Sequence, residues 1–168
     1  MQEDPNTPVD FITRFATSEP FERVFREGMS LVEETADYLD GPGRAESRKL
    51  DRPGAVAYAT ESMRLTTRLM QLASWLLLQR AMQSGEITHA DAEAEKRRIS
   101  LADVAPTQPV SGAEAVPQGL KDLIERSNRF YDRIILLDRS LNGEPQAEPQ
   151  ANHVQGQLAA LKSAFSAR

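Results

Sequence analysis

Two short stretches of the sequence combine residue types that could do chemistry. Glu86 and His89 have the Glu-x-x-His spacing that supplies metal ligands in di-iron helical bundles. Such a centre needs two of these pairs and two further glutamates facing inward from four helices. This chain has one pair, placed at a predicted turn, and its other histidine, His153, has no acidic neighbour. We therefore predict no metal site and no cofactor.

Arg64 and Arg68 are the second pair, one helical turn apart. Two guanidinium groups at this spacing could bind a phosphate or a carboxylate together. Glu61 is also placed to form an ion pair with Arg64 on the same helix face, so a ladder of ion pairs is the other interpretation. The chain has no cysteine, no glycine-rich phosphate loop and no Ser-His-Asp order. The sequence predicts a protein that is not an enzyme.

The composition of the chain argues against several classes of function. Its net charge of −5 disfavours binding to nucleic acid, which requires a basic surface. The most apolar run, residues 69–78, is about half of the ~20 residues that a membrane span needs. The first ten residues lack the basic and apolar regions of a signal peptide, and the absence of cysteine fits a reducing compartment. We expect a cytoplasmic protein that binds neither membranes nor nucleic acid.

The longest helical stretch, from Ala55 to Ser84, organises the chain. It contains about eight turns of good helix formers without an internal glycine or proline. Its apolar residues form two adjacent seams, each wide enough for one partner helix. The first seam consists of Tyr58, Leu65, Leu69, Leu72 and Leu76, and the second of Ala59, Met63, Thr66, Met70, Ala73 and Leu77.

A polar stripe runs down the remaining side of this helix. It contains Glu61, Arg64, Arg68, Gln71 and Gln79, and it is interrupted by Trp75 and Leu78. Burial of a large apolar side chain is worth roughly 1.5 to 3 kcal/mol, so Trp75 and Leu78 should be covered by the chain's own tail or by a second copy. We predict that Trp75, Leu78, Gln71, Arg64 and Arg68 form a surface for self-association or partner binding.

Two further long helices accompany the central one. Ser18 is a good N-cap for a helix that stops at Asp40, and the last helix runs from about Gln118 to Leu141 and fills the second seam. Gly28 within the first helix indicates close contact with a neighbour. Thr88 caps a short, charged helix from His89 to about Arg98, interpreted as a solvated element.

These elements define the domain organisation. Residues 1–17 are predicted to be a loosely ordered leader and residues 18–141 a helical domain with a mobile linker at 101–118. Residues 142–168 are predicted to be a flexible tail. The predicted fold is all-α, an antiparallel bundle of three long helices plus a short charged helix, with a flexible C-terminal tail.

The tail contains one amphipathic segment, in which Val154, Leu158, Leu161 and Phe165 recur at four, three and four residues. A helix of about a dozen residues is marginal by itself, so it should fold on contact. The segment could recognise a partner, or it could dock on the chain's own bundle. The pattern leaves both alternatives open.

The run from Tyr58 to Arg80, with the stretches 25–29 (FREGM) and 39–44 (LDGPGR), resembles the RcdA family of regulators of CtrA degradation. The resemblance covers about residues 9–141. It implies a dimeric adaptor for the ClpXP protease, primed by the response regulator CpdR. It also implies PopA as a partner and cargo such as CtrA and TacA. The alternative from the residues alone is a ligand-binding or regulatory bundle with an anion site at Arg64 and Arg68.

Overall fold

The computed structural model describes residues 19–99, 101, 105, 107–108 and 110–141. Its elements are α1 (Glu19–Asp40), α2 (Pro42–Ser47), α3 (Arg52–Gln83), α4 (His89–Lys96), a 3-10 helix (Ala113–Ala115) and α5 (Gln118–Leu141). Every regular element among the described residues is thus helical. The prediction of an all-α bundle with three long helices and a short charged one is confirmed.

The central helix α3 begins three residues earlier than predicted, at Arg52. The Asp51 carboxylate caps it by accepting a hydrogen bond of 2.9 Å from the backbone N–H of Gly54. Pro53 is tolerated because a backbone N–H in the first turn has no partner within the helix. A short helix, α2, lies between α1 and α3, and Pro42 stands at its start for the same reason.

The three long helices do not all alternate in direction. Phe25 and Gly28 of α1 lie beside Arg80 and Leu76 of α3, so these helices are antiparallel. The contacts of α5 with α3 advance in the same direction along both helices, from Ser127 beside Arg68 to Asp138 beside Trp75. Helix α5 is therefore parallel to α3.

The close approach of α1 to the core requires Gly28. A Cβ atom at this position would lie 2.5 Å from Leu76 Cδ1 and 2.8 Å from Phe130 Cζ, distances that real Cβ atoms do not adopt. Both neighbours are buried and cannot easily yield. The predicted close contact is confirmed, and it joins all three long helices at one point.

The segment between α4 and α5 is anchored to the bundle where it is described. Leu101 and Val116 belong to the core, and the backbone of Gly112 lies against the Pro53 carbonyl with a φ of 85°. A side chain at this position would be both strained and obstructed. The predicted mobility of residues 101–118 stays a prediction, and the predicted leader and tail lie outside the described residues.

None of the helices in the described ranges is both long enough and apolar enough to cross a membrane.

Candidate interaction surface

The two predicted apolar seams of α3 differ in burial. Leu65, Leu69, Leu72 and Leu76 of the first seam are buried in the core, as predicted. The second seam instead lies on the outside of the bundle. The prediction that α5 fills it is wrong, because α5 packs on another side of α3.

The exposed side of α3 carries a regular apolar stripe. Its four members, here called the outer face, follow one another at seven-residue steps: Val56, Met63, Met70 and Leu77. Met63 is 71% exposed and Met70 is 65% exposed. The stripe spans about 30 Å of helix. Small residues flank it on both sides, namely Ala59, Thr60, Thr66, Thr67, Ala73 and Ser74, so another helix could approach closely.

The predicted polar stripe of α3 is largely buried. Trp75 is 1% exposed and Arg68 is 4% exposed, and Leu78 and Gln79 are buried as well. Gln71 and Arg64 are partly buried. The prediction that Trp75 and Leu78 contribute to a surface for self-association or partner binding is therefore wrong. The described part of the chain itself covers both side chains.

Trp75 is held by a polar contact that the sequence pattern did not reveal. Its indole Nε1 donates a hydrogen bond of 2.8 Å to Asp138 Oδ1 of α5. Lys96 Nζ of α4 lies 3.0 Å from the same carboxylate oxygen. Three helices thus meet at the Asp138 carboxylate. A buried indole N–H usually requires such a partner, which explains why a carboxylate lies there.

The short helix α4 is attached to the bundle as well as solvated. Its N-cap is confirmed, since Thr88 Oγ1 accepts a 3.2 Å hydrogen bond from the backbone N–H of Asp91. Glu93 and Glu95 are exposed, as the solvated interpretation predicts. Ala92, however, is fully buried, and Lys96 is mostly buried in its ion pair. One side of α4 therefore packs on α3.

Arg64 and Arg68 make different tertiary contacts. Arg68 Nη1 donates a hydrogen bond of 2.9 Å to Ser127 Oγ of α5, and burial lowers the pKa of its guanidinium. Arg64 Nη1 lies 2.9 Å from Glu61 Oε1, which confirms the predicted ion pair, and 3.1 Å from the carbonyl oxygen of Gln108. Both arginines border a hollow of about 490 Å³. An anion there would compete with Glu61, and the anion site stays a prediction.

A groove between α1 and α5 is a feature that the sequence analysis did not find. It lies on the side of the bundle away from the outer face. Arg126 Nη1 and Glu34 Oε1 are 2.6 Å apart across it, and so are Arg133 Nη2 and Glu27 Oε2. The hydrogen bond from Arg126 lowers the pKa of Glu34. We call it the α1–α5 groove. Only the contacts between distant residues define it, so no local signal could have found it.

The other predicted features concern metals and the tail. Among the described residues, no group of three or more histidine, cysteine, aspartate or glutamate residues is placed to hold a metal ion. Glu86 lies in the turn before α4, and His89 is the first residue of that helix. The predicted recognition segment of Val154, Leu158, Leu161 and Phe165 lies outside the described residues, as does His153.

Comparison with known proteins identifies the family. Residues 12–165 match the family described as "Protein of unknown function (DUF1465)". No curated protein matches the chain. The crystal structure of RcdA from Caulobacter crescentus CB15 is similar, with 50% sequence identity and a TM-score of 0.60, over 77% of this chain and 96% of that chain. The predicted resemblance is confirmed, and the chain belongs to the RcdA family.

Proposed function

We propose that this protein is a non-enzymatic adaptor that delivers cell-cycle regulators such as CtrA to the ClpXP protease. Membership of the RcdA family supports the proposal. The observation that carries it is the outer face of α3, an exposed apolar stripe on a helix whose other sides are packed. Contiguous apolar patches on a protein surface commonly mark sites of protein binding.

The outer face suits both self-association and cargo binding. Two copies could pack their stripes against each other, since the small flanking residues allow the helix backbones to approach. Burial of each large side chain of the stripe would contribute roughly 1.5 to 3 kcal/mol. The flexible thioethers of Met63 and Met70 also adapt to differently shaped partners. We propose that the protein forms a homodimer through this face and that cargo competes for it.

The remaining partners are proposed from the family alone. They are CpdR, which primes the protease, PopA, and the cargo proteins CtrA and TacA. A role with ClpXP also implies that the protein acts in the cytoplasm. The amphipathic segment from Val154 to Phe165 supplies a second candidate recognition element, because its apolar residues recur at the spacing of one face of a helix.

Reconstituted proteolysis tests the proposal. Purified ClpXP and CpdR would be supplied with CtrA or TacA, with and without this protein, and the rate of cargo loss measured. One variant replaces Met63, Met70 and Leu77 by glutamine. Its control replaces Ser30, Glu33 and Ala36, which are exposed on α1, by glutamine.

We expect the wild-type protein and the α1 control to accelerate cargo degradation. The outer-face variant should lose at least about tenfold of that acceleration, because three anchor side chains are removed. If the wild-type protein leaves every cargo stable, the adaptor function is wrong. If the outer-face variant works as well as the wild type, the function stands and its assignment to this face is wrong.

A further inference from the structure

The α1–α5 groove contains two hollows, each with buried apolar side chains beneath it. Two hollows of about 580 and 510 Å³ meet at Arg126 and Arg129, which line both. The side chains beneath them, Leu31, Leu123 and Phe130, are almost completely buried. The Arg126–Glu34 ion pair crosses the groove where the hollows meet, so each hollow could hold only a short part of an extended segment.

The charges in the larger hollow do not balance. Four carboxylates line it, from Glu34, Asp37, Asp122 and Glu125, against two guanidinium groups. Those two cations are already engaged, Arg126 by Glu34 and Arg129 by Glu125. Asp37 and Asp122 form no ion pair with any described residue, and Asp122 Oδ1 accepts a 2.7 Å hydrogen bond from Gln118 Nε2, which is uncharged. This end of the groove thus keeps two negative charges beside an apolar floor.

An aromatic ring forms the wall next to these carboxylates. Tyr38 packs on the first turn of α5 so closely that a Cβ atom at Gly119 would lie 2.6 Å from the ring. Its hydroxyl donates a 2.8 Å hydrogen bond to Glu46 Oε2, and burial and this carboxylate raise the pKa of Tyr38. The contact with Gly119 and the hydrogen bond to Glu46 together fix the position of the ring. A fixed aromatic face beside carboxylates favours a cationic side chain with an aliphatic stem.

We propose that the acidic end of the α1–α5 groove docks a segment of a protein partner that carries a lysine or arginine next to an apolar residue. The cation would lie between Asp37 and Asp122, with its stem on Tyr38, and the apolar residue would lie over Leu123. This inference goes beyond the adaptor proposal and does not depend on it. It adds a second surface, charged where the outer face is apolar, on another side of the bundle.

Fluorescence anisotropy with labelled peptides tests the groove. The probe is a short peptide that alternates lysine and leucine, and its counterpart has glutamate in place of lysine. The groove variant combines Asp37→Asn with Asp122→Asn, which keeps the side-chain shapes. The control combines Glu86→Gln with Glu93→Gln, which removes the same charge from exposed positions outside the groove.

We expect the lysine peptide to bind the wild type and the control alike, and the groove variant about tenfold more weakly, because two carboxylates are lost. The glutamate peptide should not bind. The outer-face variant should bind as the wild type does, which separates the groove from the apolar stripe. Failure of the lysine peptide to bind, equal binding of both peptides, or equal weakening in the groove variant and its control would overturn the proposal. Loss of binding in the outer-face variant would do the same.

Discussion

Two sides of α3 show opposite relations between polarity and burial. The outer face is apolar and exposed, whereas the side that carries Arg68 and Trp75 has polar groups and is buried. The difference lies in the partners. Ser127 and Asp138 of α5 accept hydrogen bonds from the guanidinium and the indole, so burial there leaves those groups satisfied. The four side chains of the outer face stay more than half exposed, and Met63 borders a hollow that Ala105 and Thr107 also line.

This contrast indicates that the two sides of α3 have different roles, one in the stability of the monomer and the other in binding. Removal of polar groups from water is costly unless partners replace the water. Arg68 and Trp75 have such partners on the buried side of α3, whereas Gln79 Nε2 is buried there without one among the described residues. Four large apolar side chains that stay in water contribute nothing comparable to the monomer. The buried side should therefore determine the stability of the monomer, and the outer face its interactions.

The largest effect is expected at Trp75. Replacement by alanine should lower the free energy of unfolding by about 3 to 5 kcal/mol, because it leaves a cavity and removes the hydrogen bond to Asp138. Trp75→Phe keeps most of the apolar volume and should cost about 1 to 3 kcal/mol. Urea denaturation followed by circular dichroism measures both. A Trp75→Ala protein as stable as the wild type would show that this side of α3 is not core.

A matched arginine pair gives the next effect. Arg68→Ala should cost about 2 kcal/mol, since it removes a buried stem and the hydrogen bond to Ser127. Arg64→Ala should change stability by at most about 0.5 kcal/mol, because its ion pair with Glu61 is partly exposed. Thermal melts of the wild type and both variants, with and without phosphate, would distinguish an ion pair at Arg64 from an anion site. A rise in wild-type melting temperature with phosphate, lost in Arg64→Ala, would instead support an anion site.

The smallest effect is expected at Glu34, in the α1–α5 groove. Its folded pKa lies below the ordinary value of 4.5 because Arg126 hydrogen-bonds to it. The stabilisation is therefore present above pH 4.5 and lost as the pH falls through the lowered pKa. Because both side chains are about half exposed, it should reach at most about 1 kcal/mol. Glu34→Gln should be less stable than wild type at about pH 7 and equal to it once Glu34 is protonated. Urea denaturation at about pH 7 and at a pH below the lowered pKa of Glu34 tests this prediction. An equal difference in stability between wild type and variant at the two pH values would contradict it.

Local signals in the sequence predict the helices well. Helix α5 has the predicted bounds, and α4 follows its Thr88 cap, because caps and apolar periodicity are properties of neighbouring residues. The orientation of α3 was not predictable in the same way. Apolar side chains occur all round this helix, so periodicity alone does not decide which side faces the core.

The decisive contacts join residues far apart in the chain. Arg68 to Ser127 and Trp75 to Asp138 each span about sixty positions, and no spacing rule reports them. The second seam was assigned to α5 because it is apolar, yet the side with hydrogen-bonding partners was buried instead. The α1–α5 groove could not be predicted for the same reason, since its two walls, α1 and α5, are far apart in the sequence.

Sedimentation of the outer-face variant tests the central claim most directly. We expect the wild-type protein to sediment as a dimer, and the protein with glutamine at positions 63, 70 and 77 as a monomer. Its free energy of unfolding, measured at a concentration at which the wild type is also monomeric, should lie within about 1 kcal/mol of the wild-type value. A variant that remains dimeric, or one that unfolds as readily as Trp75→Ala, would contradict the account.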